Sequence, residues 1–231
     1  MTGASPTTAL LFDLDGTLVD NVYQHVLAWK EALDQVGLRL AVWRIHRKIG
    51  MSGGLFTHAL LRETGTEITS ALVERLHDLH AEEYEKHAGS VRPLPGAREL
   101  LQRLTDDRVP WAIATSGRIR SAKVTLARLG VDPDRAVVVT RDQVQHAKPD
   151  PDLFLHAAER LGVAIGASIV VGDSIWDLLA ARRARALGVG LLSGGYGEQE
   201  LERAGAYRVY EDPGDLLNHL DEVGVRRADE A

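Results

Sequence analysis

Short, fully apolar runs flank a long stretch of helical periodicity in this chain. The first run, Ala9-Leu10-Leu11-Phe12, reads as a buried strand. From Val22 to about His87 the apolar positions recur only at helical spacing, over 22–37, 41–50, 52–65 and 69–89. From Arg92 onward, β-rich runs at 109–115, 135–140, 167–173, 188–192 and 207–210 alternate with amphipathic stretches. Those stretches begin near Gly96, Arg118, Pro151, Ile175 and Gln199, with a last one after Pro213. Strands that are apolar throughout and alternate with helices predict a parallel sheet covered on both faces. The simplest architecture is an α/β core whose chain leaves after its first strand, builds a helical module and returns near Arg92-Pro93-Leu94-Pro95-Gly96. The expected division gives 1–19 and 93–231 to the core and 20–92 to the inserted helices. Asp20-Asn21 and the Pro/Gly-rich return are the expected hinges.

Composition narrows the classes of function. At 231 residues and 45% hydrophobic, the chain can bury one large core or two unequal ones. No apolar stretch approaches a membrane span. The opening MTGASPTT lacks a basic segment and an apolar h-region, so it is expected to be a frayed tail rather than a signal peptide. The absence of cysteine excludes disulfides, thiolate chemistry and zinc-finger-type sites, and agrees with an expected cytoplasmic location. A net charge of −6 with no basic stripe argues against a nucleic-acid partner. An anionic substrate would have to be attracted by a local site. Oligomeric state leaves no mark in the sequence.

Candidate chemistry begins where the first strand ends. Asp13 and Asp15, two apart in FDLDGTLVD, are expected to project together there, with Gly16-Thr17 turning the chain outward. Adjacent buried carboxylates repel, and a hard divalent cation shared with a phosphate is the natural compensation, Mg²⁺ above all. Ligands of open parallel sheets bind beyond the carboxyl ends of the strands. The other strand-ending residues point to the same edge: Thr115-Ser116-Gly117, Gly172-Asp173-Ser174 with Asp177 one turn later, and Lys148 ahead of a helix. His77, His80 and His87, at helical spacing among many glutamates, read as an exposed polar face rather than a metal site.

These four segments, DLDGT, the Thr115 strand end, Lys148 in KPDPDLF, and GDSIWD, resemble in order the motifs of the haloacid dehalogenase superfamily of phosphohydrolases. The helical insertion resembles its cap. The resemblance implies a Rossmann-like parallel core and Mg²⁺-dependent phosphatase action on a small phosphorylated metabolite through an aspartyl-phosphate. It implies Asp13 as nucleophile and Asp15 as general acid and base. It places Mg²⁺ on the Asp13 and Asp173 carboxylates and the Asp15 carbonyl, with Asp177 orienting a bound water or Lys148 from behind. Thr115 and the N–H groups of Ser116 and Gly117 would hold phosphoryl oxygens, and Lys148 would supply fixed positive charge. Asp15 speaks against dehalogenase and phosphonoacetaldehyde hydrolase chemistry, which lack it.

The competing implication is a β-phosphoglucomutase, whose hinge resembles Asp20, His25 and Trp29. That enzyme's cap loop carries an arginine three positions after a glycine; here Gly50 is followed by Gly53, which favours a simple phosphatase. His25 is expected to couple closure to the Asp15 proton, and Arg47, Gly50, Met51 and Ser52 to read the leaving group. A non-catalytic binding protein of the same fold should lack one of Asp13, Asp15, Lys148 or Asp173, and this chain has all of them.

Overall fold

The computed structural model describes residues 8–225, so the stretch expected to be a frayed tail lies, apart from Thr8, outside the described residues. Strand β1 (Ala9–Phe12) is fully buried and leads into a two-residue strand β2 (Val19–Asp20). Four helices follow, α1 (Val22–Gln35), α2 (Val42–His46), α3 (Gly53–Thr64) and α4 (Ser70–His87), and β3 (Arg92–Pro93) closes the excursion. The remainder alternates: α5 (Ala97–Asp106), β4 (Trp111–Ala114), α6 (Ile119–Leu129), β5 (Val137–Val139), α7 (Asp152–Leu161), β6 (Ser168–Gly172) and α8 (Ile175–Ala184). It ends with β7 (Leu187–Leu191), α9 (Glu198–Ala204), β8 (Ala206–Tyr210) and α10 (Pro213–Asn218). Among the described residues no helix is long and apolar enough to cross a membrane.

Six strands form one parallel sheet in the order β5-β4-β1-β6-β7-β8. The period of two along β1 explains its layers. Leu10 and Phe12 enter the core beneath α5, α6 and α10, while Leu11 enters the opposite one beneath α7 and α8. Burial on both faces is why these strands are apolar without alternation. After β1 the sheet grows first toward β4 and β5, then on the other side toward β6, β7 and β8, so β1 lies at the topological switch point. Its carboxyl end carries Asp13, whose N–H continues the ladder to the Val171 carbonyl at 2.9 Å.

The helices between β2 and β3 have an apolar core of their own. Val22, Val26, Trp29 and Leu33 of α1 meet Phe56, Leu60 and Leu61 of α3 and Leu76 and Leu79 of α4. The two expected hinges are paired with each other: β2 and β3 form an antiparallel ribbon, with Val19 opposite Pro93 and Asp20 opposite Arg92. Two-residue strands carry no readable period, so the sequence shows the turns there but not their pairing.

Candidate active site

Asp13 is buried at the tip of β1, and burial of a second acid and a lysine beside it dictates the arrangement. Lys148 is completely buried, with its ammonium ion-paired to Asp13 Oδ1 and to Asp177 Oδ1 at 2.8 Å from Nζ. Asp177 lies in the first turn of α8, where its Oδ2 accepts from the Ser174 N–H at 3.1 Å and the Ser174 hydroxyl at 2.5 Å. Asp173, at the end of β6, accepts from Thr17 Oγ1 at 2.8 Å. Carboxylate oxygens of Asp13, Asp173 and Asp177 all lie within 4.8 Å of one another. Three acids therefore face one ammonium. Burial pushes Asp13 up to about 7, with Asp177 and Asp15 adding to the rise and Lys148 opposing it. Burial also holds Asp173 well above the ordinary carboxylate range, reinforced by Asp177 and Asp13. Such a cluster is short of positive charge, and its hard oxygens suit a divalent cation of the Mg²⁺ type.

Two glycines let the chain approach this cluster. Gly16 adopts φ +84°, and a Cβ there would meet the Asp173 carboxylate and Val22. Gly194, in the turn after β7, passes so close to Asp173 that a Cβ would lie inside its carboxylate. The same turn is tied down by Ser193 Oγ, which donates to the Gly16 carbonyl at 2.6 Å.

Asp15 sits on the side of the cluster facing the helices. Its Oδ1 accepts from Asn21 Nδ2 at 2.5 Å and faces His25 Nε2 at 3.6 Å, and its Oδ2 accepts from Thr115 Oγ1 at 3.3 Å. Burial is the largest single influence and acts to raise its pKa. The hydrogen bond and charge of His25, the Asn21 amide and Lys148 together outweigh it, so the carboxyl is held below its ordinary value. Donors on both oxygens favour the ionised form.

The other expected site residues divide into those at this edge and those turned from it. Thr115 Oγ1 also accepts from the Gly117 N–H at 2.9 Å, and Ser116 Oγ donates to the Gly50 carbonyl at 3.1 Å. The Ser52 N–H donates to the Lys148 carbonyl at 2.9 Å, so the Gly50–Ser52 loop lies directly on the core edge. Met51, expected to read the leaving group, packs instead against the apolar core of α1, α3 and α4. Arg47 is also directed elsewhere. Its guanidinium binds both carboxylate oxygens of Glu200, at 3.2 and 2.5 Å, and lies 4.2 Å over the Tyr196 ring. Tyr196 Oη in turn donates to the Arg47 carbonyl at 2.9 Å.

The expectation of an exposed polar face at His77, His80 and His87 is corrected. His80 stacks on Trp29 at 4.2 Å, and His77 meets the same indole edge-on at 5.6 Å. His87 is half-buried and faces Glu31 at 3.1 Å. Positions 77, 80 and 84 share the face of α4 that packs on α1, and apolar Trp29 accepts imidazole rings as readily as aliphatic ones. Sequence reasoning also passed over Thr17, Asn21, Tyr84, Ser193 and Gly194. Thr17 was readable as the residue after the turn glycine, and Gly194 as a glycine just past a strand tip. Asn21 and Tyr84, joined by a 2.9 Å hydrogen bond, lie far apart in sequence and left no signal.

Comparison with known proteins agrees with this geometry. Residues 7–185 match the haloacid dehalogenase-like hydrolase family. A hydrolase of known structure from Pseudomonas syringae is 58% identical and superimposes with a TM-score of 0.92 over 94% of this chain and 100% of that one. Phosphoglycolate phosphatase from Neisseria meningitidis is 32% identical over 196 residues, 84% of this chain and 83% of the relative. Fructose-1-phosphate phosphatase from Escherichia coli is 32% identical over 188 residues, 76% of this chain and 91% of the relative. The chain belongs to the haloacid dehalogenase-like hydrolases. It is an enzyme of the phosphoric monoester hydrolase class.

Proposed function

We propose that this protein is a cytoplasmic, Mg²⁺-dependent phosphatase that hydrolyses a small phosphomonoester metabolite through a phosphoryl group carried on Asp13. The observation that carries the reading is the buried Asp13–Lys148–Asp177 ion-pair chain beside Asp173, with Asp15 on the opposite side of Asp13. The same reading treats 20–92 as a cap over the core formed by 1–19 and 93–231.

The steps follow from the groups present. Asp13 is the nucleophile: one of its carboxylate oxygens forms a bond to phosphorus as the bond to the leaving oxygen breaks. Lys148, clamped by Asp177, keeps a positive charge beside the attacking oxygen as two anions approach. Asp15, protonated in the substrate complex, gives its proton to the departing alkoxide. It then takes a proton from water, which attacks phosphorus and frees the Asp13 oxygen together with inorganic phosphate. In the structure Asp15 is arranged as a carboxylate, the form needed for that second step. Asp13, Asp173 and the Asp15 carbonyl would hold Mg²⁺, whose chemistry is to neutralise charge on the phosphoryl oxygens. Thr115, Ser116 and Gly117 stand where phosphoryl oxygens would be bound once their present partners exchange. Gly50 and Ser52 stand where the leaving group would be met and water excluded.

A phosphomutase would need a cation from the helical side to hold a second phosphate. Arg47, the arginine nearest that loop in sequence, is bound to Glu200 and Tyr196, which supports the phosphatase reading. The decisive assay measures phosphate release from phosphoglycolate, fructose 1-phosphate, glucose 1-phosphate and p-nitrophenyl phosphate, with Mg²⁺ or EDTA, for wild type and Asp13→Asn. Turnover that requires Mg²⁺ and vanishes in the variant is expected. Turnover that survives in Asp13→Asn or in EDTA would overturn the mechanism, and conversion of glucose 1-phosphate to glucose 6-phosphate without phosphate release would overturn the phosphatase assignment.

A further inference from the structure

We infer that His80 is a positioning residue for the acid–base step, holding His25 in the ring orientation and tautomer that present its Nε2–H to Asp15. The inference rests on the reading of Asp15 as acid and base.

His25 lies in the first turn of α1 and uses both ring nitrogens. Nε2 is 3.6 Å from Asp15 Oδ1, and Nδ1 is 3.2 Å from His80 Nε2. A neutral imidazole has one donor and one acceptor nitrogen, so the bond made at one end decides what the other end offers. When His80 Nε2–H donates to His25 Nδ1, the His25 proton resides on Nε2 and points at the carboxylate. The opposite assignment aims a lone pair at an anion that already collects donors from Asn21 and Thr115. Electrostatics selects the first.

His80 is held in place to play this part. It stacks on Trp29 at 4.2 Å with an interplanar angle of 17°, while His25 stacks on Tyr84 at 4.0 Å and 5°. Tyr84 is anchored by the Asn21 amide that also binds Asp15, so the rings and the carboxylate form one connected set. Burial, with His25 and His77 beside it, lowers the His80 pKa well below 6.5, which leaves His80 a neutral donor. A residue of α4 thus reaches the chemistry through a residue of α1, and neither the DLDGT motif nor the three other segments contains it.

The test uses the full-length, Mg²⁺-loaded enzyme with p-nitrophenyl phosphate, whose hydrolysis still requires the base step on water. His80→Phe keeps the stack and removes the N–H, whereas His80→Gln keeps a donor at the equivalent atom. We expect kcat of His80→Phe to fall about tenfold with KM changed less than about twofold, and His80→Gln to recover to within about threefold of wild type. In a His25→Ala background His80→Phe should cost nothing further, because its effect passes through the missing ring. An unimpaired His80→Phe, or the same loss in both backgrounds, would overturn the inference. Imidazole ¹⁵N–¹H correlation on the wild-type protein gives a reading independent of any variant's folding: the Nε2–H tautomer of His25 supports it and the Nδ1–H tautomer refutes it. Asp15→Asn separates the levels. If that variant retains turnover, the role of Asp15 itself is wrong; if it is inactive while His80→Phe is normal, only the positioning role is lost.

Discussion

On the core side of the site, every charged group stands at or just past a strand tip, fully buried and held by ion pairs or backbone donors. On the helical side, the groups that reach the same place are rings and carbonyls, delivered by contacts between helices and by two exposed side chains clasping each other. Lys148 has no exposure at all, whereas Arg47 and Glu200 keep 35% and 44% of their side chains in solvent. A buried charge has no water to fall back on, so its partners are obligatory. The exposed clasp competes with water and salt at every moment. The contrast separates machinery that must be rigid from a cover that must come and go.

The sharpest way to break this contrast is to remove the buried cation. Lys148→Met keeps the aliphatic stem but leaves Asp13 and Asp177 unpaired, and in Mg²⁺-free buffer the unfolding free energy should fall by about 3–5 kcal/mol in urea titrations. A change below about 1 kcal/mol would mean that the core side is no more constrained than the cover. Next in size is Gly194→Ala, which drives a Cβ into the Asp173 carboxylate. We expect a loss of about 1–3 kcal/mol, and a smaller rise in melting temperature on adding Mg²⁺ than wild type shows. An unchanged Mg²⁺ response would show that the turn after β7 yields freely and does not shape the cluster. The smallest effect belongs to the clasp: Arg47→Ala should alter stability by less than about 1 kcal/mol. A loss comparable with that of Lys148→Met would erase the distinction.

Particular residues show where the sequence was readable. Asp13, Thr115, Lys148 and Asp173 announced themselves because each follows an apolar run or precedes a helix, and parallel strands bring all such ends to one edge. The alternation of runs and helical stretches gave the sheet and its layers for the same reason. His80 was misread because α4 carries glutamates on both sides of it, and only the approach of α1 reveals that its ring lies against Trp29. Arg47 was misdirected because its partner, Glu200, is 153 positions away on a different element. The pairing of Val19-Asp20 with Arg92-Pro93 was unreadable because two residues cannot establish a period.

What the amino-acid order determined by itself is therefore local and one-dimensional: which segments are buried on two faces, where they stop, and which acids and which lysine stand at the stops. Those properties follow from side-chain polarity and backbone period, which act over a few residues. Tertiary structure alone decided which of two histidine nitrogens meets Asp15, which glycine makes room for Asp173, and where the Arg47 guanidinium goes. Each of these depends on the distance between atoms on separate elements, and the packing of the two cores sets that distance.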